Sequence, residues 1–316
     1  MSEACSTAGD GLYAALKALP KVDLHRHLEG SLRVETLSEI AREHALGPPA
    51  DDPVQLRPLV TVGSREPDFA HFLEVFGLLR HFHLSREAIE RFAYEAVADA
   101  AADNVRYLEL RFNPVALAQA RHFPLDDVTS WVCEAVARAG RDCGVGTGLI
   151  VQVGRAEAQR AREVVEVALA HRQGGVVGLD LAGDELRYPA GDFVPFFHRA
   201  WERGLHITVH AGEAGGADNI CEAVERLMAQ RIGHGVRVVG DARAMALARE
   251  RNVAFEVCPI SNLCTGVTGP AQTHPLPRML EAELCVTVNT DDPGITGTTL
   301  TDEYYLSLIH ISEPTR

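Results

Sequence analysis

The chain is 316 residues long with a net charge of −14 and a pI near 5.4, a balance that argues against a nucleic-acid backbone or an anionic membrane as partner, since both need clustered Lys and Arg. Its seven cysteines, odd in number and without CxxC spacing, fit reduced thiols better than a disulfide framework. The N-terminus lacks a basic segment followed by a long apolar core, and no run approaches the roughly eighteen apolar residues of a membrane span, so a cytoplasmic location is expected.

Residues 1–12 read as a flexible N-terminal tail and 13–305 as a single domain. Within it, β-rich runs fall at 22–28, 105–112, 146–153, 176–183, 206–213, 231–238, 253–260 and 285–292. Helical patterns separate them. Val34, Leu37 and Ala41 line one face of a helix that Ser31 can cap and Gly47 can end. Further outer helices are expected over 156–172, 194–204, 218–231 and 241–251. Strand and helix in alternation imply parallel pairing with right-handed crossovers, and eight such units close into a (β/α)8 TIM barrel. One connection is abnormally long. Between Glu29 and Asn104 it holds a Pro-rich loop, GPPADDPVQLRP, the helical stretch FLEVFGLLRHF and a long helix after Ser85. Extra helices inserted between strands 1 and 2 are expected to cover the barrel mouth as a lid or pocket wall; the alternative is an ornamental insertion.

At the other end, a helix begins at TTLTDEYY and its pattern then dissolves. One back-translation of 306–316, LSLIHISEPTR, reads as the end sequence of a transposase-based sequencing-library adaptor. The native chain is therefore expected to stop near Tyr305, leaving the eighth outer helix missing and the apolar surface between strands 8 and 1 uncovered.

Candidate chemistry begins at KVDLHRHLEGS. In a strand, residues i and i+2 share a side, so His25 and His27 would both project into the barrel mouth, where imidazoles can reach one ion. An isolated HxH is weak, because His81 and His83 repeat it in a helical pattern, where the two rings diverge and read as a surface or helix-end pair. The weight comes from company: His210 and Glu213 in HAGE, His234 between Gly233 and Gly235, and Asp291 and Asp292, all at the carboxyl ends of other strands. Each has a plain alternative, Glu213 as a helix cap, His234 as a core histidine, Asp292-Pro293-Gly294 as a turn. Together they occupy the face where barrel enzymes do chemistry. Imidazoles plus a carboxylate make the donor set of a mononuclear zinc site. His234 is then the candidate base or hydroxide-orienting group, and Glu213 the general acid, which requires a raised pKa.

LHRHLEG, LAGDE, VHAGE, RIGHG, VCPISN and NTDDPG, in this order from about Leu19 to Tyr305, resemble the adenosine deaminase family of zinc hydrolases. The resemblance implies one Zn2+ on His25, His27, His210 and Asp291, and a small-molecule purine nucleoside as substrate. It further implies that Glu213 protonates purine N1, that His234 assists the hydroxide, that Asp292 contacts N7 and that the Gly183 backbone contacts N3, with His27 also at the substrate. Glu29 departs from the best-known nucleoside-specific members, which carry Asp near the 5′ hydroxyl. HLEG also occurs in adenine-specific relatives, whereas LAGDE is closer to the nucleoside deaminases. Adenosine and 2′-deoxyadenosine are the expected substrates, in purine metabolism, with adenine or another 6-aminopurine nucleoside as the alternative. A binuclear amidohydrolase with a bridging carboxylated lysine is disfavoured, since Lys17 and Lys21 are the chain's only lysines and neither lies mid-barrel. The His/Cys/Cys deaminase signatures fail on spacing. A binding module that had lost the chemistry would show eroded ligands or acid, and all are present.

Overall fold

The computed structural model describes residues 3–63 and 67–311. Eight parallel strands follow one another around the sheet in the order of the sequence: β1 Lys21–His27, β2 Val105–Phe112, β3 Gly146–Gly154, β4 Val176–Ala182, β5 His206–Ala211, β6 Arg231–His234, β7 Ala254–Val257 and β8 Cys285–Val288. Each pairs in parallel with the next. The ring closes differently, through a single bridge between Arg26 and Asp291, with His27 N–H donating to Asp291 O and Asp291 N–H donating to His25 O, both at 2.8 Å.

Runs such as Leu149–Val153 are buried on both faces because helices cover the outside while side chains fill the inside. Helix ends follow local chemistry. Asp68, Ser85 and Asp241 accept from the first free N–H groups of the helices Phe69–Leu79, Arg86–Ala102 and Ala242–Glu250. The helix Leu125–Cys143 stops at Gly144 in the left-handed region.

Several expectations change. Ser31 does not cap the first inserted helix, which spans Val34–Glu43 behind Arg33 and ends at His44, before Gly47; the Ser31 hydroxyl donates to His27 O and accepts from Arg26 Nε instead. The run expected over 156–172 divides into a 3-10 segment, Arg155–Arg160, and the helix Ala161–Ala170. The helix expected over 218–231 ends at Arg226, since Arg231 opens β6. β5 to β8 end two to four residues earlier than their apolar runs; after β5, β6 and β8 the backbone turns into positive φ at Gly212, at His234 and Gly235, and at Asp291. The N-terminal segment read as a tail is helical from Glu3 to Ala18. His81 is exposed as expected, but His83 is buried against the Phe92 ring. After β8, Thr299 caps a short helix, Leu300–Leu306, that runs on as a π-turn, Ser307–Ile311; the rest of the segment suspected to be foreign, 312–316, lies outside the described residues. The outward residues of the seam stay open, with Val22 46% exposed and Val286 and Val288 half-buried.

Candidate active site

The carboxyl ends of the strands bring His27, Glu29, Gly183, His210, Glu213, His234, Asp291 and Asp292 around one cavity of about 290 Å3. His25 lies fully buried and does not line it. The inserted helix Phe69–Leu79 supplies an apolar wall through Phe69, Phe72, Leu73 and Phe76, so the insertion serves the pocket.

Three imidazoles are held alike. His25 Nδ1 meets Glu256 Oε2 at 2.9 Å, His27 Nδ1 meets Gln152 Oε1 at 3.0 Å, and His210 Nδ1 meets Asp180 Oδ1 at 3.1 Å. An oxygen acceptor at each Nδ1 places the proton there and frees the Nε2 lone pair. These lone pairs converge. His25 Nε2 and His27 Nε2 lie 3.1 and 3.2 Å from Asp291 Oδ1, and His27 Nε2 lies 3.2 Å from His210 Nε2. A tetrahedral ion with ligands at about 2.0–2.1 Å needs ligand-to-ligand edges of about 3.3–3.4 Å. The separations match those edges, and His25 Nε2 and Asp291 Oδ1 are buried without hydrogen-bond partners. Residues 25, 27, 210 and 291 therefore fit a single metal ion.

His234 also belongs to the cluster, with His25, His210 and Asp291, but it is held oppositely. Its Nδ1 meets the Asn262 amide nitrogen at 3.2 Å, while Nε2 stands 3.7 Å from both Glu213 Oε2 and Asp291 Oδ2. Its backbone and that of Asp291 sit at φ 59 and 63. Holding non-glycine residues in that region costs about 1–3 kcal/mol each, which the surrounding network must offset.

Charges beneath the floor balance one another. Arg111 pairs with Asp180 at 3.1 Å and Glu256 at 2.7 Å, and Arg231 reaches Glu256 at 2.8 Å. Burial pushes the carboxyls of Asp180 and Glu256 up, yet the cations beside them hold both well below the usual carboxylate range. Burial lowers His27 to about 4, leaving it neutral and free to act as a ligand. The two carboxyls at the cavity wall go the other way. Burial, then Asp291, then Glu185 raise Glu213 well above its ordinary value, and burial with Asp291 does the same to Asp292. Both shifts favour the protonated form, in which each carboxyl can donate. Burial also lifts Glu29 to about 7; its Oε1 accepts from Asn113 N–H at 2.8 Å and its Oε2 has no partner.

Two glycines make the close approaches. A Cβ at Gly30 would lie 1.7 Å from Asp292 Oδ1, and Gly183 sits at φ 109, turning its peptide at the cavity edge.

Sequence reasoning missed the supports Arg111, Asp180, Glu256 and Gln152, and it gave no role to Asn262 and Glu185, which close the motifs VCPISN and LAGDE; the Glu185 carboxylate accepts from the N–H groups of Gly212, Glu213 and Gly215 and so holds the acid's loop. Asp180 and Glu256 carried a signal, lone carboxylates inside the apolar runs LDL and FEV.

The adenosine deaminase family profile matches residues 20–312. An adenosine deaminase of Klebsiella pneumoniae (strain 342) is 40% identical over 91% of this chain and 86% of its own length. One from Shewanella loihica is 38% identical over 91% and 87%. Among solved structures, an adenine deaminase from Arthrobacter aurescens superposes with a TM-score of 0.85 at 30% identity, over 93% of this chain and 88% of its own. An amidohydrolase of Burkholderia ambifaria solved with bound Zn has a TM-score of 0.85 at 29% identity, covering 96% and 83%. An N6-mAMP deaminase of Arabidopsis has a TM-score of 0.83 at 26% identity, covering 95% and 90%. With the fold, the ordered motifs and the profile in agreement over most of its length, the chain belongs to the adenosine deaminase family.

Proposed function

We propose that this protein hydrolyses the C6 amino group of adenosine and 2′-deoxyadenosine, releasing inosine or 2′-deoxyinosine and ammonia, with one zinc ion held by His25, His27, His210 and Asp291. The observation that carries the reading is the convergence of these donors beside two buried carboxyls whose pKa values are pushed upward. Zinc bound there supplies a water whose pKa is lowered toward about 7.

The protein's own groups do the rest. A purine ring offers three acceptors, N1, N3 and N7, and the cavity answers with three donors: the Glu213 carboxyl, the Gly183 peptide N–H and the Asp292 carboxyl. Protonation of N1 by Glu213 draws electrons from C6 and opens it to attack. His234 faces the attacking oxygen through Nε2. The aromatic wall of the inserted helix excludes water and stacks beside the base.

At the far end, Glu29 Oε2 lacks a donor, and the 5′ hydroxyl of a nucleoside supplies one. Free adenine leaves that oxygen unanswered, and a 5′-phosphate would meet Glu29 and a Glu157 that already takes up the charge of Arg80 at 3.2 Å. Nucleosides are thus favoured over both. Among the described residues six cysteines are free thiols and no helix is long and apolar enough to cross a membrane; the cytoplasm is the location proposed. The test is incubation of the zinc-loaded protein with adenosine, 2′-deoxyadenosine and adenine, following the absorbance change of deamination. Turnover of adenine alone would reverse the substrate order, and no product from any would end the proposal.

A further inference from the structure

Behind His234 lies a line of buried polar groups that starts at Asn262, the last residue of the motif VCPISN, and runs beyond the motifs to His274. Asn262 is fully buried in the helix Pro259–Cys264 after β7, and His274 is 3% exposed just before the helix Leu276–Glu281. Leu276 N–H donates to His274 Nδ1 at 3.1 Å, His274 Nε2 meets Asn262 Oδ1 at 3.4 Å, and Asn262 Nδ2 meets His234 Nδ1 at 3.2 Å.

The direction of every proton in this line follows from its first member. A backbone N–H can only donate, so His274 Nδ1 must present a lone pair. A neutral imidazole then carries its proton on Nε2, which donates to the Asn262 carbonyl. With its oxygen spent as acceptor, the amide turns its NH2 toward His234 Nδ1. That nitrogen accepts, so the His234 proton resides on Nε2 and faces the cavity. Burial keeps His274 neutral by lowering it to about 4, in agreement with its acceptor role at Nδ1.

We propose that His274 and Asn262 are positioning residues that lock His234 in the Nε2–H tautomer, making it a fixed donor to the attacking oxygen and not its base. This rests on the deaminase reading for its kinetic consequence, but the tautomer itself is a property of the resting protein. The contrast within the site supports the assignment. His25, His27 and His210 each meet an oxygen acceptor at Nδ1 and present a bare Nε2, while His234 alone of the four meets a donor there. One cluster thus holds two tautomers, and the partner at Nδ1 separates ligand from non-ligand.

The experiment is 15N NMR of the zinc-loaded full chain with labelled histidine, the His234 signals assigned by their loss in His234→Gln. The expected spectrum has a pyridine-type Nδ1 and a pyrrole-type Nε2 for His234. In Asn262→Asp the carboxylate accepts, so His234 should move to the Nδ1–H form; kcat for adenosine should fall about 10–100-fold with KM and zinc content little changed. His274→Gln retains an acceptor and a donor and should keep kcat within about threefold of the parent, whereas His274→Leu should not. A wild-type His234 protonated on Nδ1 overturns the proposal, and so does an Asn262→Asp protein that keeps both the Nε2–H form and full kcat. Should Asn262→Asp fail to fold, the wild-type spectrum and the His274 pair decide. The expected tautomer in a protein that deaminates nothing would refute the function proposed above and leave this assignment standing.

Discussion

The seam between β8 and β1 has two sides built on opposite terms. Inside, Asp23, His25 and Asp291 are buried, and Asp23 accepts from the Thr290 hydroxyl at 2.6 Å while His25 is fixed by Glu256. Outside, on the alternate residues of the same strands, Val22 is 46% exposed and Leu24, Val286 and Val288 are half-buried. On β3, by contrast, residues 149 to 151 are covered on both faces. The inner side of the seam is specified residue by residue through charge and hydrogen bonds, and the outer side depends on whatever packs against it. Damage inside should therefore appear as lost chemistry or lost metal, and damage outside as altered solubility with chemistry intact.

The largest effect is expected at the acid. Glu213→Gln should lower kcat about 10²–10⁴-fold while zinc, measured by elemental analysis, stays bound; unchanged turnover would remove Glu213 from its role. Next comes the support layer. Glu256→Gln takes one counter-charge from Arg111 and Arg231, which keep Asp180 and Glu109, and loosens His25, so zinc affinity in a chelator competition should drop about 10–100-fold, with some stability lost in denaturant unfolding. Zinc affinity equal to the parent's would show that His25 is held by other means.

Glu29 sharpens the contrast through pH. Its carboxyl titrates near 7 when folded, against an ordinary 4.5. Between these values the folded chain keeps a proton that the unfolded chain has released, so stability falls as pH rises through this window, and the penalty is complete above the folded value. Glu29→Gln should remove this residue's share of the slope, leaving that of Glu213 and Asp292, and add up to about 3 kcal/mol at pH 8 but little at pH 4. Equal shifts at both would assign the gain to packing. The smallest effect on chemistry belongs to the outside. We expect the chain to associate through the open seam, and Val22→Thr should shift it toward monomer in light scattering while leaving kcat within about twofold of the parent. A monodisperse parent would remove the outer half of the comparison.

Much of the inner side could be read from the chain. His25 and His27 share a side by period-2 spacing and gain their weight from His210 and Asp291 at the ends of other strands, and Gly233 and Gly235 mark His234 as a place of close approach. The supports could not be read so directly. Arg111, Asp180 and Glu256 sit on three different strands, and only the curled sheet brings both carboxylates within 3.1 Å of Arg111; a lone carboxylate in an apolar run does not name its partner. Strand ends were overrun for a related reason. An apolar run continues past the last ladder bond wherever the backbone turns into positive φ to aim a functional side chain, as at His234 and Asp291. His83 misled because a histidine near a helix end reads as solvated, and the inserted helices bury this one against Phe92.

The reciprocal bonds that tie His25 and His27 to Asp291 also set an order of events during synthesis. A ribosome releases the histidine pair long before Asp291, so the ligand set proposed above for zinc is complete only after the eighth strand has docked beside the first. Binding energy and ring closure are then one transaction. In a cell short of zinc, the expected consequence is a pool of unclosed barrels for chaperones and proteases to meet, rather than a store of finished enzyme waiting for its ion.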